Sequence, residues 1–133
     1  MRLKQSQRIF KKLLTHKCDV YNKKRIRLNG QWKELFIREE YKAKCRLSVN
    51  IRATTDYVKD DRQVFPTPFT IYSLPMEVKQ DSRILLEGKW YEVKAVPRNP
   101  SLANHHLELP VEIMSNKYSV KENDGMFFIE NEV

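Results

Sequence analysis

The alternation of apolar and polar positions divides the 133-residue chain into one short helical stretch and a series of strand-like stretches. Over residues 3–14, Leu3, Ile9, Phe10, Leu13 and Leu14 recur at three-to-four spacing, with Arg8, Lys11 and Lys12 elsewhere, the pattern of an amphipathic helix. A helix this short is marginal alone in water, so it must rest on its own domain or on a neighbour. From Cys18 the period becomes two. Cys18–Tyr21 opens one strand, and Asn29-Gly30, a favoured hairpin-turn dipeptide, separates it from a second that begins at Trp32 and runs through Leu35, Phe36 and Ile37. Cys45–Val49 alternates as a half-buried strand does.

Residues 50–64 break the pattern, being polar, charged and free of glycine and proline. They read as a long surface loop, or as a plain hairpin extending beyond the sheet; loops of this length inside compact domains are often functional. Strand signals resume at Phe65, where Pro66 and Pro68 suggest an edge or a strand entry, and continue through Phe69–Tyr72, then in Arg83–Glu87 and Trp90–Val96 as a hairpin around Gly88-Lys89. The last strand places Leu107, Leu109, Val111 and Ile113 on one face and Glu108 and Glu112 on the other. Six or seven short strands with frequent turns define an all-β barrel or sandwich. From Ser115 to Val133 the patterning weakens into an acidic tail. The apolar Met126-Phe127-Phe128-Ile129 within it is expected to dock on a partner or on the protein's own sheet edge.

Charge changes the picture because of where it lies. The formal net charge is +8, and residues 1–27 hold ten Lys/Arg against the single acid Asp19. The basic excess belongs to one end, which can meet nucleic acid, an acidic protein or a membrane face, or can simply be a solvated helix. No apolar run approaches the ~18 residues that suggest a membrane span, and no membrane partner is expected. The basic start Met1–Ser6 leads into no apolar segment, so no secretory signal is expected, and folding in a cytoplasm is. Cys18 and Cys45 lack metal-type spacing and read as buried free thiols.

Chemistry is sparse. Nucleophile-elbow, zinc-protease and nucleotide-binding motifs are absent, and three glycines cannot build a phosphate-cradling loop. His105-His106, if on a strand, would point to opposite faces, and Glu39-Glu40 reads as a solvated strand end. No catalytic, cofactor or metal site is expected. A basic barrel binding single-stranded nucleic acid remains an alternative, with Tyr21, Trp32, Tyr57, Tyr72, Trp90 and Tyr91 as candidate base-stacking rings or, equally, as core.

The order of the segments carries more than any one of them. A basic N-terminal helix is followed by His16–Tyr21, Gly30-Gln31-Trp32, Lys44–Ser48, a polar loop, Phe69–Tyr72, Asp81–Ile84, Gly88–Val93 and His105–Leu109. This series, over residues 13–113, resembles the head-completion proteins of long-tailed bacteriophages, the connector, adaptor or stopper proteins of the head–tail interface. The resemblance implies a small six- to seven-stranded β-barrel with a short N-terminal α-helix, spanning residues 1–114, and an extended C-terminal tail, residues 115–133. It implies a non-enzymatic virion protein of the neck, assembled in the host cytoplasm. Such a protein forms a ring, hexameric or dodecameric, below the portal, joins head to tail and helps to close the DNA channel. Its partners would be the portal or adaptor ring, tail proteins and packaged double-stranded DNA. By position, the channel-facing loop would carry Arg52, Thr54, Thr55, Asp56, Tyr57, Lys59 and Arg62. Docking to the portal or a neighbouring subunit is expected of Arg2, Lys4, Arg8, Lys11, Lys12, Met126, Phe127 and Phe128. A ring needs two different complementary faces on each subunit, and a basic start and acidic end supply them.

Overall fold

Asn29 and Gly30 both take positive φ, 52° and 80°, as a two-residue type I′ turn requires, and so join two long strands tightly. The computed structural model describes residues 5–49, 57–59, 62–64, 69–99, 105–115 and 117–130. Among these, helix α1 (Gln5–Leu13) is followed by ten strands. They are β1 (His16–Leu28), β2 (Gln31–Val49), β3 (Tyr57–Lys59), β4 (Arg62–Val64), β5 (Phe69–Ser73), β6 (Arg83–Leu86), β7 (Lys89–Val93), β8 (Leu107–Ile113), β9 (Lys121–Asn123) and β10 (Met126–Glu130).

Strands β1 and β2 pair antiparallel from Leu28↔Gln31 to His16↔Cys45, with an irregularity near Val20. Cys18 faces Ala43 and Val20 faces Glu40, so β2 carries one residue more than β1 between those pairs. Lys42 there has a φ of 50°, and its N–H donates to Asp19 Oδ1 at 2.8 Å. Such a bulge bends and twists a strand, and β2 finds different neighbours on either side of it. Its residues Leu35–Ile37 pair with β10, and Cys45–Val49 pair with β5.

The pairings close on themselves: β1-β6-β7-β8-β5-β2 and back to β1, with β10 and then β9 added on the outer edge of β2. All six strands of this circuit feed one buried cluster: Cys18 and Val20, Cys45, Ile71, Ile84 and Leu86, Tyr91 and Val93, Leu109 and Val111. Each such aliphatic side chain contributes roughly 1.5–3 kcal/mol on burial. The thiols of Cys18 and Cys45 are free and buried here.

A second cluster lies on the other side of the sheet, where Tyr21, Phe36, Trp90 and Ile129 are buried with Leu85, Met114 and Tyr118 against them. Trp90 and Tyr91 are neighbours on β7 and point to opposite faces, yet both are buried. The inner cluster covers Tyr91; Tyr21 and Tyr118 flank the indole at ring-centroid distances of 5.2 and 5.1 Å. The C-terminal segment is therefore part of the fold where it is described, and not an extended tail. Asp124-Gly125 turns β9 into β10, and Phe128, 5% exposed, lies opposite Ile37.

The chain is thus mainly β with one short helix, as expected. Six strands form the circuit; the excess over six or seven comes from the short hairpins β3–β4 and β9–β10.

Candidate functional site

Beyond the Tyr21↔Arg83 pair, the outer edge of β1 has no further neighbour among the described strands, and β2 has none before Leu35. The end of the β1–β2 hairpin is consequently a two-stranded arm standing clear of the sheet. Its residues 23–34 carry Lys23, Lys24, Arg25, Arg27 and Lys33 against one acid, Glu34. Two charges are tied internally: Lys23 Nζ lies 2.8 Å from Glu34 Oε1, and Lys24 Nζ 2.8 Å from Glu39 Oε2. The register sets Arg27 opposite Trp32 and Arg25 opposite Glu34 on one face, and Ile26 opposite Lys33 on the other. The Trp32 indole is 61% exposed, with the Arg25 guanidinium 5.6 Å from its ring centroid.

At the base of the arm, polar groups are buried and paired. Asn22 Nδ2 donates to Glu39 Oε1 at 3.0 Å and to the Glu77 carbonyl at 2.9 Å. The Glu40 carboxylate accepts the Glu77 N–H at 3.2 Å. Glu39-Glu40 is thus a pair of structural acceptors and not simply a solvated strand end. The Lys24 hydrogen bond, aided by Asn22 and opposed by partial burial, holds the Glu39 carboxyl below its ordinary range.

Helix α1 rests on its own domain through Phe10. Its ring lies 5.4 Å from His105 and 4.9 Å from His106 between centroids. The two imidazoles converge instead of diverging, with Nδ1 atoms 2.9 Å apart, because both precede β8 and escape strand alternation. His106 Nε2 lies 3.4 Å from Glu108 Oε2. Among the described residues, no group of three or more His, Cys, Asp or Glu side chains could hold a metal ion.

The expected site residues fall in three groups. Arg52, Thr54, Thr55 and Asp56, like Arg2 and Lys4, lie outside the described residues. Tyr57, Lys59 and Arg62 lie on β3 and β4, which pair antiparallel with Lys59 opposite Arg62 and Tyr57 opposite Val64, as the hairpin reading expected. Arg8 and Lys12 are exposed on α1, Lys11 is half-buried, and Ile9 and Leu13 are exposed beside them. On β10, Met126 and Phe127 are half-buried, with the Arg38 guanidinium 3.9 Å from the Phe127 ring centroid. Phe128 is buried in this chain's own core opposite Ile37, so this apolar segment rests on the protein's own sheet edge, the second of the two expected docking places. Of the six candidate stacking rings, Tyr21, Trp90 and Tyr91 are buried, Tyr72 is half-buried and Trp32 is exposed, while the Tyr57 ring lies outside the described side chains.

The fold and surfaces define a mainly β protein with a protruding basic arm and a docked N-terminal helix. The chain matches no family model, no curated protein and no solved structure. Among the described residues, no helix is long and apolar enough to cross a membrane.

Proposed function

We propose that this chain is a structural protein of the phage head–tail interface. In this reading the closed six-strand circuit is a small barrel, and copies of it form a ring below the portal that joins head to tail and helps to close the DNA channel. The observation that carries the reading is the ordered series of segments resembling head-completion proteins. Those segments fall on the circuit strands in chain order: β1, the β1–β2 turn, the far half of β2, then β5, β6, β7 and the start of β8. The β3–β4 hairpin stands in the chain between β2 and β5, the position that the resemblance gives to the channel-facing element. Docking, not catalysis, is its work. Exposed Ile9 and Leu13 on a basic helix, beside Arg8 and Lys12, offer a surface for a neighbouring ring.

The test is co-assembly. Mixed with portal rings of its own phage, the protein should comigrate on sedimentation and show ring symmetry by electron microscopy. Deleting residues 52–62 should leave ring formation intact and release DNA from filled heads. Failure to associate with any portal sinks the assignment; retained DNA and normal infectivity sink the channel-closing role alone.

A further inference from the structure

We propose that the β1–β2 arm is a docking surface for double-stranded DNA, with Arg25, Arg27 and Lys33 on the phosphates and Trp32 against the groove. The proposal goes beyond the head–tail reading and does not depend on it, since it concerns the subunit alone in solution.

Charge is the first argument. With Lys23 held by Glu34 and Lys24 by Glu39, Arg25, Arg27 and Lys33 have no carboxylate in ion-pair reach among the described residues. Three such cations, on a segment that pairs with no other described strand, make no ion pair that holds the fold. Each phosphate they neutralise would release condensed counterions, the main source of affinity for nucleic acid.

Shape is the second. The arm is a two-stranded antiparallel ribbon with neither edge paired among the described residues, and the major groove of duplex DNA, about 12 Å wide, admits such a ribbon. A ribbon that enters the groove edge-on turns one face to each phosphate wall, and the arm carries cations on both faces: Arg25 and Arg27, beside Trp32, on one, and Lys33 on the other.

Two other partners fit less well. Single-stranded nucleic acid is gripped by several rings that stack successive bases, whereas the arm offers one indole, and Tyr21, Trp90 and Tyr91 are buried. A protein partner would meet an apolar centre ringed by polar groups, but the arm is charged along its length, with Ile26 and Leu28 half-buried.

The experiment is fluorescence anisotropy of the full chain with a labelled duplex of about two helical turns. Binding should weaken about 40-fold between about 50 and 200 mM salt if three phosphates are engaged. The variant R25E/R27E/K33E should bind at least tenfold more weakly, with the salt slope reduced by about 2–3. The milder R25Q/R27Q/K33Q should change in the same direction. The control R8E/K11E/K12E should keep most of the affinity. In wild type, saturating duplex should shield the exposed Trp32 from acrylamide, while Trp90, 5% exposed, adds little quenching. The proposal is overturned if wild type does not bind duplex, if the arm variants bind as wild type does, or if the helix control alone loses binding. Tighter binding to a labelled single strand or to labelled polyglutamate would also overturn it.

Discussion

The Ser82 hydroxyl donates a hydrogen bond to the carboxamide oxygen of Asn22, sixty residues away, and both side chains are buried. Asn22 sits on β1, and Ser82 ends the connection that leads into β6. The same carboxamide donates to Glu39 on β2 and to the Glu77 carbonyl, and the Ser82 oxygen accepts the Lys79 N–H at 2.9 Å. One amide on β1 thus satisfies groups from β2 and from the 74–82 connection.

Removing that amide takes the partner from the buried Ser82 hydroxyl and from the part-buried Glu77 carbonyl. Asn22→Ala should cost about 2–3 kcal/mol, and Ser82→Ala about 1–2 kcal/mol, because each leaves buried polar groups unpaired. The double variant should lose less than the sum, since the two share a bond. Urea unfolding of the four proteins checks this; additive losses would mean that the two side chains act separately.

The hairpin β9–β10 is covered by an equally direct test. Ile129 is fully buried with Tyr21, Phe36 and Trp90, so Ile129→Ala should cost about 2–4 kcal/mol through lost burial and a residual cavity. Phe127→Ala, at a half-buried ring under Arg38, should cost about 1 kcal/mol. Equal small losses at both positions would mean that the C-terminal segment is a dispensable attachment.

Turn glycines should differ by location. Gly30 and Gly125 share a φ of 80°, and an added Cβ meets nothing within 4 Å at either, so Gly→Ala strain is purely conformational, about 1 kcal/mol. At Gly125 the strain acts on the strand that carries Phe128 and Ile129, and thermal unfolding should register it in full. At Gly30 it acts on an arm standing clear of the core, and the melting temperature should move less.

These contrasts show what the amino-acid pattern could and could not convey. Period-two alternation in Leu107–Ile113 and the Asn29-Gly30 dipeptide pointed directly to β8 and the first hairpin. The length of β2 was hidden because Arg38–Lys44 is a polar run, held in the ladder by β1 and by a bulge rather than by burial. The β9–β10 hairpin hides in the sequence because Lys117–Asn123 is mostly polar, although Asp124-Gly125 before Met126–Ile129 is the turn signal seen at Asn29-Gly30. In sequence the arm's charges are simply part of a basic end, because only the register shows which of them lack a carboxylate. The alternation rule misled at His105-His106, since it holds only inside a strand.

Carboxylate protonation should set the acid limit. Glu39, held down chiefly by Lys24, contributes stability that is present above its unfolded value of 4.5 and is lost as pH falls through its lower folded value. Glu39→Gln should therefore flatten the fall in stability below that pH. An unchanged acid limb would place the loss at other carboxylates.

The alkaline limit should have a different origin. A hydrogen bond to Cys45 and then burial hold the Cys18 thiol far above its ordinary value of 9.0, and burial also raises Tyr21 and Tyr91. Below pH 9 folded and unfolded chains both carry these protons, and the groups add no pH dependence. Above it the unfolded chain gives them up while the folded chain keeps them, so stability falls as pH rises. Melting followed by circular dichroism from pH 8 to 11 should show that decline. Cys18→Ala should make it shallower, at a cost in packing that is the same at every pH. Because the thiolate is the nucleophile, Cys18 should also react with a disulfide reagent only at the rate of unfolding. Rapid labelling of native protein at Cys18 would mean that the β1–β2 interface opens on its own.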